Sequence, residues 1–560
     1  MNELCLFKSS KHGSYFLSSN FDFSAYQGFF VFHENNWDLF KVIDRVSGNF
    51  NVSISDKTLF LESDESQDVV IDLDFRPIHD FDDKGRIYTV YEKDDFLIIK
   101  YEKFFDDSLN SKKFTKFLAI KGLNSFDLLK EWIKKNYSYD AERKTVSELY
   151  VFRLLKANVK KIVFGFGANE EEAIFSSLVN PISSDETFFE NVNQLKLVDE
   201  TKQLNQVGNA FNSCVKFNKK KEPMIFAGYP WFYQVWSRDE CISLIGLFYL
   251  RKFDVAKNII LRCLKNISEN GILPNRFPES KLGSADATGW LFQRISLFFD
   301  SGDLNFSSKE LLLIEEKLDC FLSACKKKSF KGLVYSGPKE TWMDTEGPDG
   351  IDVRSGARVE IQALYLAALE LKIKLRKFFE DDDSVSKWTH NLNKKKYLVR
   401  KQLVEDDVLC DGFDNGLDFT LRPNVFLACY AFPGLVSRSQ WVKTFDRVLD
   451  ACWLDWGGLS SIDKRHELFC AVHTGIDNRS YHRGDSWFFV NNIAALAMIF
   501  VDKKRFSSKI NMLKNASLTE LFESGAEGFC AEISSANSLT SKGCLSQAWS
   551  SATLLELLLK

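Results

Sequence analysis

The residues best suited to chemistry in this 560-residue chain stand at the starts of six apolar segments. WSRDECISLIGLFYL, from Trp236, opens with Arg238 and Asp239. SADATGWLFQRISLFF, from Ser284, carries Asp286 and Trp290, and RSGARVEIQALYLAAL, from Arg354, carries Glu360 one turn in. LRPNVFLACYAF begins at Leu421. HRGDSWFFVNNIAALAMIF opens with His482, Arg483, Asp485 and Trp487, and LSQAWSSATLLELLL, from Leu545, carries Gln547 and Trp549. The clusters supply Arg, Asp, Glu and Trp, and no Ser–base or Cys–His pair. Carboxylates beside aromatic platforms suit glycoside hydrolysis. One acid protonates the leaving oxygen while a second carboxylate activates water or attacks directly, in a pocket that pushes their pKa values apart. Indole faces pack on sugar C–H surfaces, and Arg or Asp hold hydroxyl groups by charge-assisted bonds.

Each of these residues also has a purely structural reading. Arg238 and Asp239 form an ion pair with Asp239 capping its helix, or they hold a terminal sugar, and both can be true. Asp286 caps the second apolar segment or touches sugar. Glu360 points inward and needs a partner when buried, either ligand or Arg354. His482 and Arg483 are structural or ligand-bound. Trp231, Trp236, Trp290, Trp487 and Trp549 are core, or at least three of them line a pocket; 10 of the 12 Trp lie beyond residue 200.

The elements that must position these groups follow from periodicity. Residues 1–120 read as β, in alternating runs such as NVSISDKTLFL and GRIYTVYEKDDFLIIKYEKF. A helix is expected near 124–136, SFDLLKEWIKKNY, with Ser125 as its N-cap, followed by a β-like run KKIVFGFGA over 160–168. The first domain, 1–190, is therefore an antiparallel β-sandwich, and PISSDETFFEN, 181–191, reads as a linker. After about residue 195 the period changes to that of helices, beginning with one near 197–217. The six apolar helices recur every 50–70 residues or so, with more polar helices between them. Six inner helices apolar all round, with six amphipathic ones outside, close as an (α/α)6 barrel over 195–560. Their N-terminal ends then gather on one face.

Composition narrows the functions. The formal net charge is −4, which argues against nucleic acid or an anionic membrane as partner. The start, MNELCLFKSSKHGSYF, is not a secretory signal, and no apolar run approaches the length of a membrane span. The 12 Cys are scattered and suit a reducing, cytoplasmic compartment. With 7 His that do not cluster with Cys, no metal site is expected. No Gly-rich phosphate loop or GxSxG elbow is present, and no cofactor is implied.

Five blocks in fixed order carry a family resemblance: AGYPWFYQVWSRDECISLIGL (227–247), ETWMDTEGPDGIDVRSGARVEIQALYLAAL (340–369), LRPN (421–424), YHRGDSW (481–487) and SQAWS (546–550). They resemble the glucosidase part of glycogen debranching enzymes and their prokaryotic relatives, and DLDFRPIHDFDDKGRIYTVYEKDDFLIIKYEK (72–103) is more loosely similar to the sandwich domain of the single-chain members. The first cluster departs from the family's WGRD, with Ser237 in place of Gly. The resemblance implies an inverting amylo-α-1,6-glucosidase acting on a glycogen-like α-glucan or branched malto-oligosaccharide. It makes Asp344, the Asp of TWMD beside Trp342, the general acid. Glu532, in GFCAEISS, is the best match for the general base, with Glu523 and Glu527 as rivals. Animal and yeast members carry a separate transferase barrel, which the β-rich 1–190 is not. The other readings left open are a different hydrolase specificity on the same barrel and a carbohydrate-binding protein without turnover.

Overall fold

The computed structural model describes residues 5–9, 13–18, 24, 27–32, 39–78, 80–105, 112–179, 200–218, 221–230, 232–277, 283–303, 305–347, 350 and 353–560. Trp231 and the expected linker 181–191 lie outside the described residues. The chain divides into two compact units, Met1–Asn191 and Val192–Lys560.

The first unit is an antiparallel sheet. Its eleven strands are β1 (Cys5–Ser9), β2 (Gly13–Ser18), β3 (Gly28–Phe32), β4 (Leu39–Val46), β5 (Asn51–Ser55), β6 (Thr58–Pro77), β7 (Arg86–Lys93), β8 (Phe96–Phe104), β9 (Lys112–Lys121), β10 (Phe126–Asn136) and β11 (Glu148–Gly167). They run in the order β1-β2-β3-β4-β6-β11-β9-β8-β7, with β5 beside β6 and β10 beside β11. β6 and β11 are each 20 residues long. The register between them shifts at Arg153/Leu155 and Val159/Lys161, and such bulges bend a strand. Both halves of each strand therefore feed one hydrophobic cluster: Leu59 with Ile71 and Leu73, Leu154 with Ile162 and Phe164. Gly165 and Gly167 are required by close packing, since a Cβ on them would fall 2.3 Å from Ser177 N and 2.4 Å from Ala173 N of a short helix over Glu170–Leu178.

The segment expected as a helix at 124–136 is instead strand β10, paired along β11. The reason is a bulge between Leu128 and Glu131, where Lys130 takes φ +54°. One extra residue in the strand puts its partly buried apolar residues Phe126, Leu129 and Ile133 three and four apart, which imitates a helical period.

The second unit is helical. Calling the two short helices of the first unit α1 (Ser138–Glu142) and α2 (Glu170–Leu178), the second unit continues with α3 (Glu200–Cys214), α4 (Ser237–Tyr249), α5 (Phe253–Asn266), α6 (Ala287–Ser301), α7 (Ser308–Lys327) and α8 (Val359–Phe378). It ends with α9 (Asp382–Leu403), α10 (Asn424–Ala431), α11 (Arg438–Cys452), α12 (Phe488–Asp502), α13 (Ser507–Glu523) and α14 (Ala548–Leu558). The six apolar segments are α4, α6, α8, α10, α12 and α14. α4 packs on α6, α6 on α8, α8 on α10, α10 on α12, α12 on α14, and α14 on α4, so their contacts close a ring. Within this unit α3, α5, α7, α9, α11 and α13 contact the ring. Burial follows this division: α12 buries every residue from Phe488 to Met498, whereas α9 buries only Val399 and Leu403.

The two sets of helices also begin differently. Outer α7 and α11 start with capping boxes, Ser307 with Glu310 and Ser437 with Gln440. Inner α4, α8, α12 and α14 start directly after two-residue strands, Val235–Trp236, Ala357–Arg358, Ser486–Trp487 and Ser546–Gln547. Their N-cap residues are extended and make no side-chain cap. Strand pairing fixes these turns, which leaves their polar side chains free for other partners. No described helix is long and apolar enough to cross a membrane.

Candidate active site

Arg238 is the hub of the site. It lies in the first turn of α4, 2% exposed. Its Nε donates to Asp286 Oδ2 at 2.7 Å and its Nη1 to Asp344 Oδ2 at 3.3 Å, while Nη2 is buried with no hydrogen-bond partner. Asp286 occupies the N-cap position of α6 but makes no cap. Its other oxygen accepts from Ser284 Oγ at 3.3 Å. Asp239 accepts from Gln547 Nε2 at 3.0 Å, which ties the start of α4 to that of α14. The capping alternative therefore falls away for both aspartates. Ser237, the departure from WGRD, spends its hydroxyl on the carbonyl of Pro274.

Asp344 is held from behind. Arg354 donates to Thr341 Oγ1 at 3.2 Å, to Glu360 at 2.6 and 3.1 Å, and to Asp411 Oδ2 at 3.0 Å. Asp411 accepts from Asn424 Nδ2 at 2.7 Å, and Asn424 Oδ1 accepts from Trp342 Nε1 at 2.8 Å. Arg354 and Glu360 thus bond each other and brace the TWMD loop, and the Arg354 guanidinium spends Nε and both Nη atoms on that brace. The side chain of Asp344 remains 28% exposed among neighbours that are nearly closed off, so it is open to a ligand.

Glu532 arrives on a loop that is stitched to the HRGDSW segment, because Ile533–Ser534 pairs with Ser486–Trp487. It is 2% exposed. Its Oε1 accepts from Tyr481 Oη at 2.5 Å and its Oε2 from Cys544 N at 2.9 Å. Glu520 on α13 supports the same loop, accepting from Ala531 N at 3.1 Å and Ser541 Oγ at 2.7 Å. The rivals are placed differently: Glu523 is exposed at the end of α13 and Glu527 is partly exposed, while Glu532 sits in the field of Asp344.

The aromatic wall comes from three segments. His482 stacks on Trp487 at 4.9 Å and 6°, and Trp342 stands edge-on to both, at 5.3 and 5.4 Å. Trp487 Nε1 donates to the Tyr481 carbonyl, and Trp549 stacks on Phe489 and stands edge-on to Trp487 at 5.8 Å. Trp236 packs near Phe232 and under Arg276. Trp290 departs from this group: it packs on Tyr430 and Arg294 inside the helical ring. Asp485 Oδ2 accepts from Ser480 Oγ at 2.8 Å and meets His473 Nδ1 at 2.7 Å.

Several buried polar atoms here lack a hydrogen-bond partner: Arg238 Nη2, His482 Nδ1, Asp485 Oδ1, Gln547 Oε1, and Nε1 of Trp236 and Trp549. Buried polar groups are nearly always paired, so these atoms are available to water or to the hydroxyls of a ligand. No group of three or more His, Cys, Asp or Glu among the described residues is arranged to hold a metal ion.

Electrostatics sets the carboxyls apart. Burial, together with the nearby charges of Glu532 and Asp344, pushes Asp239 up to about 8 against the pull of Arg238. Burial pushes Glu532 to about 7, partly offset by the Tyr481 and Cys544 hydrogen bonds. Burial also raises Asp286. Asp344 goes the other way: burial would raise it, but His482, 3.5 Å away, and the Arg238 charge together hold it below the ordinary carboxylate value. Burial lowers His482, which keeps it neutral at physiological pH. One ionised carboxyl thus faces one that is partly protonated near neutrality, the separation that acid–base hydrolysis requires.

The sequence reading did not single out Tyr481, Asn424, Asp411, Ser480, His473 or Glu520. Tyr481 and Asn424 stand inside the YHRGDSW and LRPN blocks, so their signal was present. The other four carry none, because their role depends on which loops meet.

A helical ring with a carboxylate-, arginine- and tryptophan-lined site at its helix starts fits the chemistry of a glycoside hydrolase. The model of the amylo-alpha-1,6-glucosidase family matches residues 208–556, and the chain belongs to that family. Among solved structures the fold is similar to that of a bacterial glucoamylase complexed with acarbose, with TM-score 0.60 and 12% identity over 98% of this chain and 91% of that one. The GH63 mannosylglycerate hydrolase of Thermus thermophilus matches at TM-score 0.48 and 13% identity, over 63% of this chain and 99% of its own. No curated protein sequence matches the chain.

Proposed function

We propose that the protein is an inverting amylo-α-1,6-glucosidase that removes single glucose stubs from branch points of glycogen-like glucans or branched malto-oligosaccharides. Its twelve helices α3–α14 are read as an (α/α)6 barrel and the first unit as a sandwich domain of debranching-enzyme type. The observation that carries the proposal is the convergence of Asp344, Glu532 and Arg238 in one cluster within the span of the family match. The mostly buried cysteines of the described residues suit a reducing cytoplasm.

In this reading Asp344 delivers its proton to the glycosidic oxygen as the C1–O bond breaks. Glu532 takes a proton from the water that forms the new bond to C1 on the opposite face. Arg238, Asp239 and Asp286 hold the hydroxyls of the terminal glucose, and the indoles of Trp342, Trp487 and Trp549 wall the pocket. Before catalysis Asp344 must be protonated. A neutral sugar drawing Arg238 away from it, and further exclusion of water, both favour that form.

The free site also supports a second reading, in which the roles are exchanged. Glu532, raised to about 7, is the better proton donor as it stands, and Asp344 the better base. Asp344→Asn and Glu532→Gln are each expected to lower turnover of a branched dextrin by about 10²–10⁴-fold while folding and sugar binding persist. Turnover of α-glucosyl fluoride, whose leaving group needs no proton, then separates the roles: the variant that regains its rate has lost the acid. Near-wild-type dextrin hydrolysis in either variant would remove that residue from the mechanism.

A further inference from the structure

Glu532 is gripped at both oxygens, and the two grips differ in kind. On Oε2 the donor is backbone, Cys544 N, in a turn where Gly543 takes φ +66° and a Cβ on it would come within 2.4 Å of that oxygen. On Oε1 the donor is a side chain, the Tyr481 phenol. Tyr481 is itself immobilised. Its ring stands edge-on to His482 at 4.8 Å and to Trp487 at 4.7 Å, and its carbonyl accepts from Trp487 Nε1 at 2.8 Å. It is partly exposed, so it borders the site rather than the core.

We propose that Tyr481 is a positioning residue for hydrolysis: its O–H fixes the Glu532 carboxylate in one orientation and favours the ionised form. The proposal rests on the reading of Glu532 as a catalytic carboxylate. A hydrogen bond to an ionised acceptor is charge-assisted, and it stabilises the charged form of that acceptor. The surroundings otherwise oppose ionisation. Glu532 is buried and faces Asp344 and Asp239, and besides Tyr481 the Cys544 N–H and the charge of His473 favour its ionised form. The Tyr481 phenol is held well above its usual range by burial and by Glu532, so it remains a donor throughout the working range of pH.

Tyr481→Phe keeps the ring and its packing and removes only the O–H. A carboxyl-region infrared titration of the wild type, Tyr481→Phe and Glu532→Gln identifies the Glu532 signal as the band absent from the last. In Tyr481→Phe that band should titrate about one pH unit higher. The pH limb of kcat/KM that reports Glu532 should move the same way, and kcat should fall about 10–100-fold with KM changed less than threefold. Difluorotyrosine at position 481, a stronger donor of nearly the same shape, should move the band downward and decides the matter if Tyr481→Phe does not fold. An unmoved band and unmoved pH limbs overturn the role of Tyr481. Near-wild-type turnover in Glu532→Gln overturns the catalytic reading of Glu532 instead, and the band shift still reports the contact.

Discussion

Glu520, Glu532 and Asp239 show what burial does to a carboxyl when hydrogen bonds only partly compensate. Glu520 is pushed up to about 8 by burial, although it accepts from Ala531 N and Ser541 Oγ. In the unfolded chain it ionises near its ordinary value of 4.5. Its folded pKa is the higher one, so its contribution to stability is complete below pH 4.5 and is lost as pH rises through about 8. Glu520→Gln should therefore flatten the fall in stability between pH 5 and 8. Relative to wild type it should be more stable at pH 8 by about 2–4 kcal/mol, measured by denaturant unfolding at both values; a variant that keeps the wild-type slope would contradict this. At this scale the sequence was legible where chemistry and motif coincide: Asp344, Arg238, Asp239 and Asp286 meet around one guanidinium. It was not legible for Glu520, whose partners Ala531 and Ser541 lie on a loop that sequence pattern leaves unplaced.

Among the elements, the two-residue strands before α4, α8, α12 and α14 do the work that capping residues do on the outer helices. They fix where each inner helix starts while leaving its first polar side chains available. Periodicity marks an apolar helix, but a two-residue strand has no period, so these devices could not be read in advance. The same limit explains β10, where a single bulge gave a strand the spacing of a helix. Arg354 follows the same logic, since its partner Asp411 lies far along the chain. Arg354→Met should strand Glu360 as an unpaired buried charge, leave Asp411 with Asn424 and Arg358 alone, and cost about 3–5 kcal/mol of stability. Asp344→Asn, by contrast, should leave the melting temperature close to wild type while turnover is lost. An Arg354→Met variant of undiminished stability would show that the brace is unimportant.

At the scale of the molecule, the six-fold recurrence of apolar segments was the most legible feature. A helix buried on all sides must lie inside, and six such helices close a ring. α14 joins α12 to α4 in that ring. Removing residues 546–560 should leave the helical unit without cooperative melting or defined near-ultraviolet dichroism, and a truncated chain that melts like the full one would contradict the ring. The wrapping of the first unit around its own core was less legible, because it depends on bulges within β6 and β11. The family match identifies a glycoside hydrolase, and the finer claim concerns bond and stereochemistry. The most direct measurement is proton NMR of the first sugar released from a dextrin bearing single α-1,6-linked glucose stubs, followed before mutarotation. The account predicts β-glucose from the α-1,6 stubs; release of α-glucose, or of no glucose from those stubs, would contradict it.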